Sequence, residues 1–374
     1  MSRAESDRRP PGDSGDSLAA RMIARIDRDG PLRIDAFMAA CLEDSRHGYW
    51  HKGGGVGADG DFITAPEVSQ IFGELIGLWC VVVWQSLGRP DGVRLIELGP
   101  GRGSLMADAL RAAATVAGFL EAASLHLIEA SGPLREVQRR ALLPARRLAQ
   151  SGGPAFAWHG SLGGVPRGPA IVIANEFLDA LPIRQLIFAE HAWHERVVVK
   201  AGEGLTFALG TRVDDARPPA GDPTPGTVWE VREADAALVA DLARRTGPLV
   251  ALFIDYGPAK DAFGDTLQAV RRHAYVDPLA APGASDLSAH VQFAALKRSA
   301  AAAGLAAAGP IPQAAFLGRL GIGARAARLM AANPERAGEI AAGVERLMSP
   351  TGMGGLFKAM TIRSRHLPPL PGFL

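Results

Sequence analysis

The chain has 374 residues, of which 48% are hydrophobic and 21% are charged, so it is long enough to bury one large core or two smaller ones. A formal net charge of +1 gives no global basic field, which argues against a nucleic-acid partner. No uninterrupted apolar segment reaches the roughly 20 residues that a membrane span requires. The two cysteines, Cys41 and Cys80, both stand in apolar settings, as is typical of a protein in a reducing compartment.

The first 90 residues divide into a polar tail and a helical segment. Residues 1–17 carry several charges and a Pro-Pro pair, which predicts a disordered tail. The acids in this tail argue against a mitochondrial presequence, and with the Ala- and Arg-rich composition they favour a bacterial cytoplasmic protein. Residues 18–90 are predicted to be mainly helical, with helices over 18–26 and from 31 onwards, a glycine-rich stretch over 53–62, and a long apolar helix over 68–87 after a capping sequence at 64–67.

From residue 91 to residue 374, apolar runs alternate with helical patterns, which predicts an α/β, Rossmann-like core with a mostly parallel sheet. Strands are predicted over 93–98, 125–128, 155–158, 170–174, 249–254 and 356–362, and helices over 104–111, 134–149, 234–245 and 294–304. Residues 185–209 indicate antiparallel strands, and 286–348 are predicted to form a helical insertion. We therefore expect added helical segments at both ends of the chain, covering the active site.

The loop Glu97-Leu98-Gly99-Pro100-Gly101-Arg102-Gly103 lies between a predicted strand and a predicted helix. Its glycines permit positive φ and let a ligand approach the main chain. Glu129, after the next apolar run, is placed to accept hydrogen bonds from both hydroxyls of a ribose. Dinucleotide sites need a G-x-G-x-x-G loop facing a pyrophosphate, whereas the acid before this loop repels pyrophosphate and matches the ammonium and sulfonium of S-adenosylmethionine. The loop therefore favours S-adenosylmethionine as the ligand. The alternative is a glycine-rich turn that binds no ligand.

Polar side chains follow three predicted strands, and the carboxyl ends of parallel strands meet at one edge of a sheet. They are Glu129, then Asn175 with Glu176 and Asp179, then Asp255 with Tyr256. Glu176 and Asp179 match a guanidinium, which stays protonated at neutral pH and pairs with carboxylates bidentately. Such a pair would orient one nitrogen lone pair towards the methyl group and disperse the charge that develops during transfer. As an alternative, Asp179 or Asp255 could be only a helix cap.

The histidines offer one further candidate. Asp286 and His290 are four residues apart and share a face if this segment is helical, so they form either a catalytic pair or a helix N-cap with an inward-facing histidine. The other histidine pairs have no acid or cysteine partners at matching spacing, and no metal site is predicted.

Four blocks that occur in order resemble the MidA family of class I S-adenosylmethionine-dependent methyltransferases. They are Gly60-Asp61-Phe62-Ile63-Thr64-Ala65-Pro66-Glu67-Val68-Ser69 with Phe72-Gly73-Glu74, the glycine loop, Asn175-Glu176-Phe177-Leu178-Asp179-Ala180-Leu181-Pro182, and Asp286 to Val291. The resemblance runs from about residue 23 to the end of the chain. Trp50 and Ser288 depart from it, standing where the family usually has tyrosine and threonine.

The resemblance implies S-adenosylmethionine as cofactor and an N-terminal segment that carries Asp61 over its pocket. The family's mitochondrial member is a complex I assembly factor and protein arginine methyltransferase, which implies a protein substrate and makes a complex I core subunit one candidate. The predicted catalytic residues are Asn175, Glu176, Asp179 and His290. The predicted cofactor contacts are Asp61, Glu97, Gly99, Gly101, Gly103, Glu129, Ser161, Leu162 and Asn175.

Three rival functions stay open at this point. One is methylation of a small molecule or of another side chain, and a second is an assembly chaperone that binds S-adenosylmethionine without turnover. A dinucleotide oxidoreductase is the most distant. The long apolar helix over 68–87 is equally compatible with a core role and with a homodimer contact.

Overall fold

The computed structural model describes residues 17–52, 61, 63–148 and 154–373. The predicted disordered tail up to residue 16 and the glycine-rich stretch, apart from Asp61, lie outside the described residues. Among the residues that are described, no helix has the length and apolar character needed to cross a bilayer.

The strands, in chain order, are β1 (Leu32–Arg33), β2 (Val93–Leu98), β3 (Ala123–Ile128), β4 (Ala155–His159), β5 (Ala170–Asn175), β6 (Arg184–Ala189), β7 (Ala192–Ala201), β8 (Gly204–Arg212), β9 (Val228–Val231), β10 (Leu249–Tyr256), β11 (Gln268–Arg271), β12 (Ala274–Val276), β13 (Asp286–Ser288), β14 (Leu305–Pro312) and β15 (Phe357–Ser364). The helices are α1 (Leu18–Asp29), α2 (Ile34–Glu43), α3 (Ala65–Val68), α4 (Gln70–Ser86), α5 (Ser104–Ala113), α6 (Phe119–Ala122), α7 (Gly132–Leu142), α8 (Glu233–Ala243), α9 (Phe293–Ala302), α10 (Gln313–Arg319), α11 (Ile322–Ala332), α12 (Ala337–Met348) and α13 (Met353–Leu356).

In the described part of the chain, seven strands form the central sheet in the order β14, β15, β10, β5, β2, β3, β4. The five strands from β10 to β4 are mutually parallel, and β15 is antiparallel to both of its neighbours. The chain proceeds from β2 outwards through β3 and β4, and then returns to β5 on the other side of β2. This reversal is a topological switch point, where the loops after two adjacent strands diverge and leave a crevice for a ligand.

Helices cover both faces of the central sheet. Along β5, Ile171 and Ile173 face the core that includes α4 and α5, whereas Val172 and Ala174 face the core that includes α8 and α9. Because successive side chains of a strand point to opposite faces, burial of both faces requires the continuous apolar run seen in the sequence. The α/β prediction with a mostly parallel sheet is therefore confirmed.

Gly77 permits a close approach of α4 and α5 on one of these faces. A β-carbon at this position would lie only 2.2 Å from the carbonyl oxygen of Ala109. The two helices consequently pack backbone to backbone.

Two smaller sheets accompany the central one. The first has the order β1, β7, β6, β9 with β8 paired to β7, and the second has the order β12, β11, β13. A third core of buried side chains joins α1 and α2 to these sheets, with Phe37, Val198 and Leu287 among its members. The N-terminal helices α1 and α2 thus pack against the two smaller sheets.

The long apolar helix predicted over 68–87 forms as α4, and the predicted capping sequence before it forms the separate short helix α3. Ser69 has an extended backbone (φ −158°, ψ 131°) and ends α3, and its hydroxyl accepts a hydrogen bond from the backbone N–H of Ile71 at the start of α4. A serine that satisfies an unpaired N–H at a helix start stabilises a break that apolar periodicity cannot reveal.

The segment from 286 to 348 also differs from the predicted helical insertion. Asp286 begins strand β13 instead of capping a helix, because Leu287 is buried in register with Ala269 of β11. Residues 305–312 form β14 at the edge of the central sheet. The helices that follow pack against α3, α4 and β14.

Candidate active site

A cavity of about 510 Å³ lies at the carboxyl edge of the central sheet, at the switch point between β2 and β5. This volume is within the roughly 300–1,000 Å³ that is usual for small-molecule sites. The cavity wall combines the glycine loop, the residue after β3, the turn after β5, the strands β11 and β13, and part of the N-terminal segment. No residue of α10 to α13 lines it, so the predicted C-terminal cover over the active site is not what the structure shows.

The glycine loop uses the conformations that its glycines were expected to supply. Gly99, Gly101 and Gly103 all have positive φ, at 60°, 51° and 84°. A β-carbon on Gly99 would lie 2.8 Å from the ring of Phe177, so this position also needs the absent side chain for space. The loop leads directly into α5, and Gly99 and Gly101 line the cavity.

Glu97 is buried at the end of β2 and lines the cavity. Burial raises the pKa of this carboxyl to about 8. One of its oxygens, Oε2, has no hydrogen-bond partner among the described residues. A buried carboxyl with a free oxygen is a site for a cation or a donor, since such a ligand would offset the cost of ionisation.

Glu129 follows β3, and its carboxylate is held from two sides. Its Oε1 accepts from the backbone N–H of Ser131 at 2.8 Å, and its Oε2 accepts from Gln138 Nε2 at 3.0 Å. Burial raises the pKa of Glu129, and these two donors oppose that change. The side chain is therefore fixed in place at the cavity wall before any ligand arrives.

Gln138 was not identified from the sequence, although it connects three parts of the site. Its Nε2 also donates to the carbonyl oxygen of Gly101 at 2.8 Å, and its Oε1 accepts from Trp158 Nε1 at 2.8 Å. It is fully buried on α7, four residues from Leu134 and from Leu142, which are buried too. An uncharged polar residue in the apolar stripe of an otherwise Arg-rich helix was the signal available.

Glu176 is at the turn after β5 and has a left-handed backbone, with φ 49°. Its Oε1 accepts from Asn175 Nδ2 and from the backbone N–H of Ala65, both at 3.0 Å. The second bond places the carboxyl at the start of α3, in the N-terminal segment. Burial is the main cause that raises the pKa of Glu176 to about 7, and the nearby Asp179 raises it further.

Asp255 organises the same turn from the end of β10. Its Oδ2 accepts from the backbone N–H groups of Phe177, Leu178 and Asp179 at 2.9–3.2 Å, and its Oδ1 accepts from that of Tyr256 at 2.9 Å. Asp255 is thus a structural acceptor that fixes the backbone beside the cavity, while the cavity itself is lined by Asp179 and Tyr256. Burial raises the pKa of both Asp179 and Asp255, and the charge of Asp179 raises that of Asp255 further.

Glu176, Asp179 and Asp286 form a cluster among the carboxyl groups that line the cavity. Asp179 and Asp286 each have a buried oxygen, Oδ1, that lacks a partner within the described structure. Burial raises the pKa of Asp286 well above its usual range, and the charges of Asp179, Asp61 and Glu176 add to that effect. Ionising all three groups is electrostatically costly, and this cost is only in part offset by the charges of Arg346 near Glu176 and Arg232 near Asp179, so a cation entering the cavity would favour the ionised forms.

Five predicted site residues do not line the cavity: Asp61, Gly103, Ser161, Leu162 and His290. Gly103 packs against α7, since an added β-carbon would lie 3.4 Å from the Cα of Gln138. Asp61 accepts from the Tyr49 hydroxyl at 2.8 Å and from the backbone N–H of Arg272 at 2.6 Å, so it fastens the β11–β12 turn to the N-terminal segment and does not line the cavity. Ser161 is exposed and Leu162 is packed in the core, whereas their neighbour Gly160 lines the cavity.

His290 is the fifth. Its ring packs edge-on behind the ring of Tyr256, with 5.5 Å between centroids, and it does not line the cavity. Its backbone N–H donates to the Thr266 hydroxyl at 2.8 Å, and burial lowers the pKa of the imidazole. Since the segment is a strand that ends before it, the helical pairing with Asp286 does not form.

Comparisons with known proteins agree with this geometry. Residues 75–311 match a family described as S-adenosyl-L-methionine-dependent methyltransferases. The protein arginine methyltransferase NDUFAF7 of Xenopus laevis, a mitochondrial protein, is 32% identical over 397 residues, covering 96% of this chain and 89% of that protein. Its Drosophila melanogaster homologue is 35% identical over 375 residues, covering 92% and 84%.

A crystal structure from Burkholderia thailandensis, bound to S-adenosyl-homocysteine, is similar over 95% of this chain and 94% of that chain, with a TM-score of 0.81 and 28% identity. The native structure from the same organism gives a TM-score of 0.79. The ligand named for the first structure is what remains of S-adenosylmethionine after methyl transfer, the cofactor that the glycine loop predicted. The chain therefore belongs to the MidA-like family of S-adenosylmethionine-dependent methyltransferases.

Proposed function

We propose that this methyltransferase modifies an arginine side chain of a protein. The observation that supports this most strongly is the cluster of Glu176, Asp179 and Asp286 in the cavity wall that also contains the glycine loop. A guanidinium is planar, permanently cationic and able to donate to several oxygens at once, so it matches a set of carboxyl groups with unpartnered oxygens. The arginine methyltransferase names of the Xenopus and Drosophila relatives support the same substrate class.

The residues present fit S-adenosylmethionine at the other part of the cavity. The backbone at Gly99 and Gly101 leaves a cradle that side chains would fill, Glu129 offers fixed carboxylate oxygens for ribose hydroxyls, and Glu97 has a buried oxygen free for the ammonium. Bound there, the cofactor supplies an electrophilic methyl group on a sulfonium. We assign Glu97, Gly99, Gly101, Glu129 and Asn175 to its site, with Gly103 forming the turn that leads from the loop into α5.

We assign the acceptor side to Glu176 and Asp179, supported by Asn175. Because burial raises the pKa of both carboxyl groups, an entering guanidinium shifts them towards the ionised form that binds it. Hydrogen bonds from the guanidinium to these oxygens would hold one nitrogen in line for attack. As the nitrogen–carbon bond forms, that nitrogen becomes acidic, and Glu176, with a pKa near 7, is suited to accept the proton.

We further propose that residues 18–90 form a cover over the pocket of the core at 91–374. Ile63, Thr64, Pro66 and Glu67 line the cavity, and Ser104 at the start of α5 donates its hydroxyl proton to Glu67. Together with the bond from Ala65 to Glu176, these contacts connect the N-terminal segment to both parts of the cavity. Closure of this kind excludes water from the reacting groups.

Finer assignments rest on the relatives and on composition. We propose a respiratory complex I subunit as one candidate substrate, because the resemblance to the MidA family points in that direction. A bacterial cytoplasmic location is a proposal that rests on the sequence and on the bacterial origin of the Burkholderia structures, whereas the relatives named above are mitochondrial. A homodimer is a proposal that rests only on the long apolar helix seen in the sequence.

The test is methyl transfer from labelled S-adenosylmethionine into the proteins of a lysate from cells that lack this chain. Label on arginine that is abolished in Glu129→Ala and reduced at least a hundredfold in Glu176→Gln, but unchanged in Glu121→Gln, is the expected result. Glu121 is an exposed acid on α6 and serves as the matched control. Label only in the small-molecule fraction would favour a small-molecule acceptor, and calorimetric cofactor binding without any label would favour a chaperone.

A further inference from the structure

The sheet of β12, β11 and β13 has one face in the cavity and one face in a core. Gln268 and Val270 of β11, with Asp286 and Ser288 of β13, line the cavity. Ala269 and Leu287, which alternate with them, are each 1% exposed and belong to the core formed with α2. This alternation assigns every residue of the sheet to one of the two faces.

The register extends the cavity face to the surface. Val270 is paired with Asp286 on one side and with Tyr275 of β12 on the other. Directly paired residues of neighbouring antiparallel strands lie on the same face, so Tyr275, Val270 and Asp286 form one row. The row crosses two strand spacings, roughly 10 Å, from the rim to the carboxyl group.

Tyr275 at the outer end of this row is 77% exposed, an unusual position for an aromatic side chain. Its strand, β12, is at the end of the sheet order, so in the described structure one edge of its backbone has no neighbouring strand. The turn between β11 and β12 is nevertheless held, because Asp61 accepts from the backbone N–H of Arg272 and its carbonyl accepts from that of His273. The aromatic ring is thus presented on a fixed edge.

We infer that the substrate protein docks on this sheet face, with its arginine-bearing segment over Tyr275 and the guanidinium directed along Val270 to Asp286. The exposed ring offers a surface on which the apolar stem of the arginine can pack, and the edge of β12 that has no neighbouring strand in the described structure offers main-chain hydrogen bonds to an extended segment. The carboxyl group at the inner end complements the charge of the arginine, whose side chain is long enough to bridge most of the row. Asp286 then acts as a third acceptor-binding carboxylate beside Glu176 and Asp179. This inference rests on the proposed function.

The experiment compares Tyr275→Ala with Tyr275→Phe in the full chain, using labelled S-adenosylmethionine and the proteins of the deficient lysate as acceptor. Loss of this packing surface is expected to lower arginine labelling about tenfold, and phenylalanine, which keeps the ring, is expected to restore it to within twofold of wild type. Calorimetric binding of S-adenosyl-homocysteine should stay within twofold of wild type in both variants. Leu209→Ala is the matched control, since Leu209 is an exposed apolar residue of β8 in the other small sheet, and labelling should not change.

Asp286→Asn supplies the second measurement. It should lower arginine labelling at least tenfold while leaving S-adenosyl-homocysteine affinity within twofold, because the acceptor and not the cofactor contacts this carboxyl. If the wild-type chain labels protein arginine and Tyr275→Ala labels it equally well, the docking surface is overturned and the proposed function stays intact. A wild-type chain that labels no arginine would overturn the proposed function, and this inference with it.

Discussion

Replacing Gln138 by leucine tests whether one buried amide positions the cofactor site. The substitution keeps the size of the side chain but removes hydrogen bonds to the Gly101 carbonyl, the Glu129 carboxylate and the Trp158 indole. With about 1 kcal/mol for each neutral bond and about 2 kcal/mol for the bond to the carboxylate, the free energy of unfolding should fall by about 4 kcal/mol. Denaturant titration of the ligand-free protein measures this change.

The same substitution should weaken S-adenosyl-homocysteine binding. Gly101 and Glu129 both line the cavity, and each loses one of the contacts that hold it. A cost of about 0.5–1.5 kcal/mol for each predicts an affinity loss between fivefold and about a hundredfold, measurable by calorimetry.

The matched control is Gln313→Leu. Gln313 is also fully buried and donates one hydrogen bond, to the Leu347 carbonyl, but it is on α10 and outside the cavity wall. This variant should lose about 1 kcal/mol of stability and no affinity. If Gln138→Leu retained wild-type affinity within twofold, the claim that Gln138 positions the cofactor site would be refuted, whatever its effect on stability.

Three further predictions concern the turn after β5 and the helix packing behind the sheet. Because the pKa of Glu176 is raised from its usual 4.5 to about 7 in the folded chain, its contribution to stability is complete below about pH 4.5 and is lost as the pH rises through 7. The denaturation midpoint should therefore decline less steeply with rising pH in Glu176→Gln than in the wild type. An unchanged slope would contradict this reasoning. Asp255→Ala removes the acceptor of four backbone N–H groups and should cost roughly 3–5 kcal/mol by denaturant titration, with a loss below 1 kcal/mol as the contrary result. Gly77→Ala forces α4 and α5 apart and should lower the free energy of unfolding by about 1–3 kcal/mol. Gly323→Ala on α11, where nothing lies within 4 Å of the added carbon, should be neutral or stabilising. Equal denaturation midpoints for the two variants would refute the packing argument.

Local patterns were enough to predict the fold class and the cofactor. The glycine loop and the acid at Glu129 each follow an apolar run directly, so strand, turn and side chain are read from one short segment. Parallel strands bring their carboxyl ends to one edge, and this rule also placed Asn175, Glu176 and Asp179 beside the loop.

Features that depend on distant contacts could not be predicted in the same way. The helix at Asp286 was predicted from the four-residue spacing between Asp286 and His290 alone. The segment forms a strand instead, because it pairs with β11. The break at Ser69 depends on a single capping hydroxyl, and the roles of Gln138 and Asp61 depend on partners 9 to 211 residues away in sequence. His290 lies only four residues from Asp286 in the sequence, but its ring packs against Tyr256 and does not line the cavity. Closeness in sequence therefore did not predict closeness in the site.

If residues 18–90 cover the pocket and the acceptor is a guanidinium, as proposed above, the hydrogen bond between Glu176 and the backbone of Ala65 couples substrate charge to closure of the N-terminal segment. One carboxyl oxygen is shared by the first turn of α3 and by Asn175, so ionisation of this group strengthens its hold on the helix start, where the helix dipole favours negative charge. A cation that promotes ionisation thereby stabilises the closed N-terminal segment. By linkage, closure increases affinity for the cation by the same factor, and a neutral analogue of the acceptor gains none of this cooperativity.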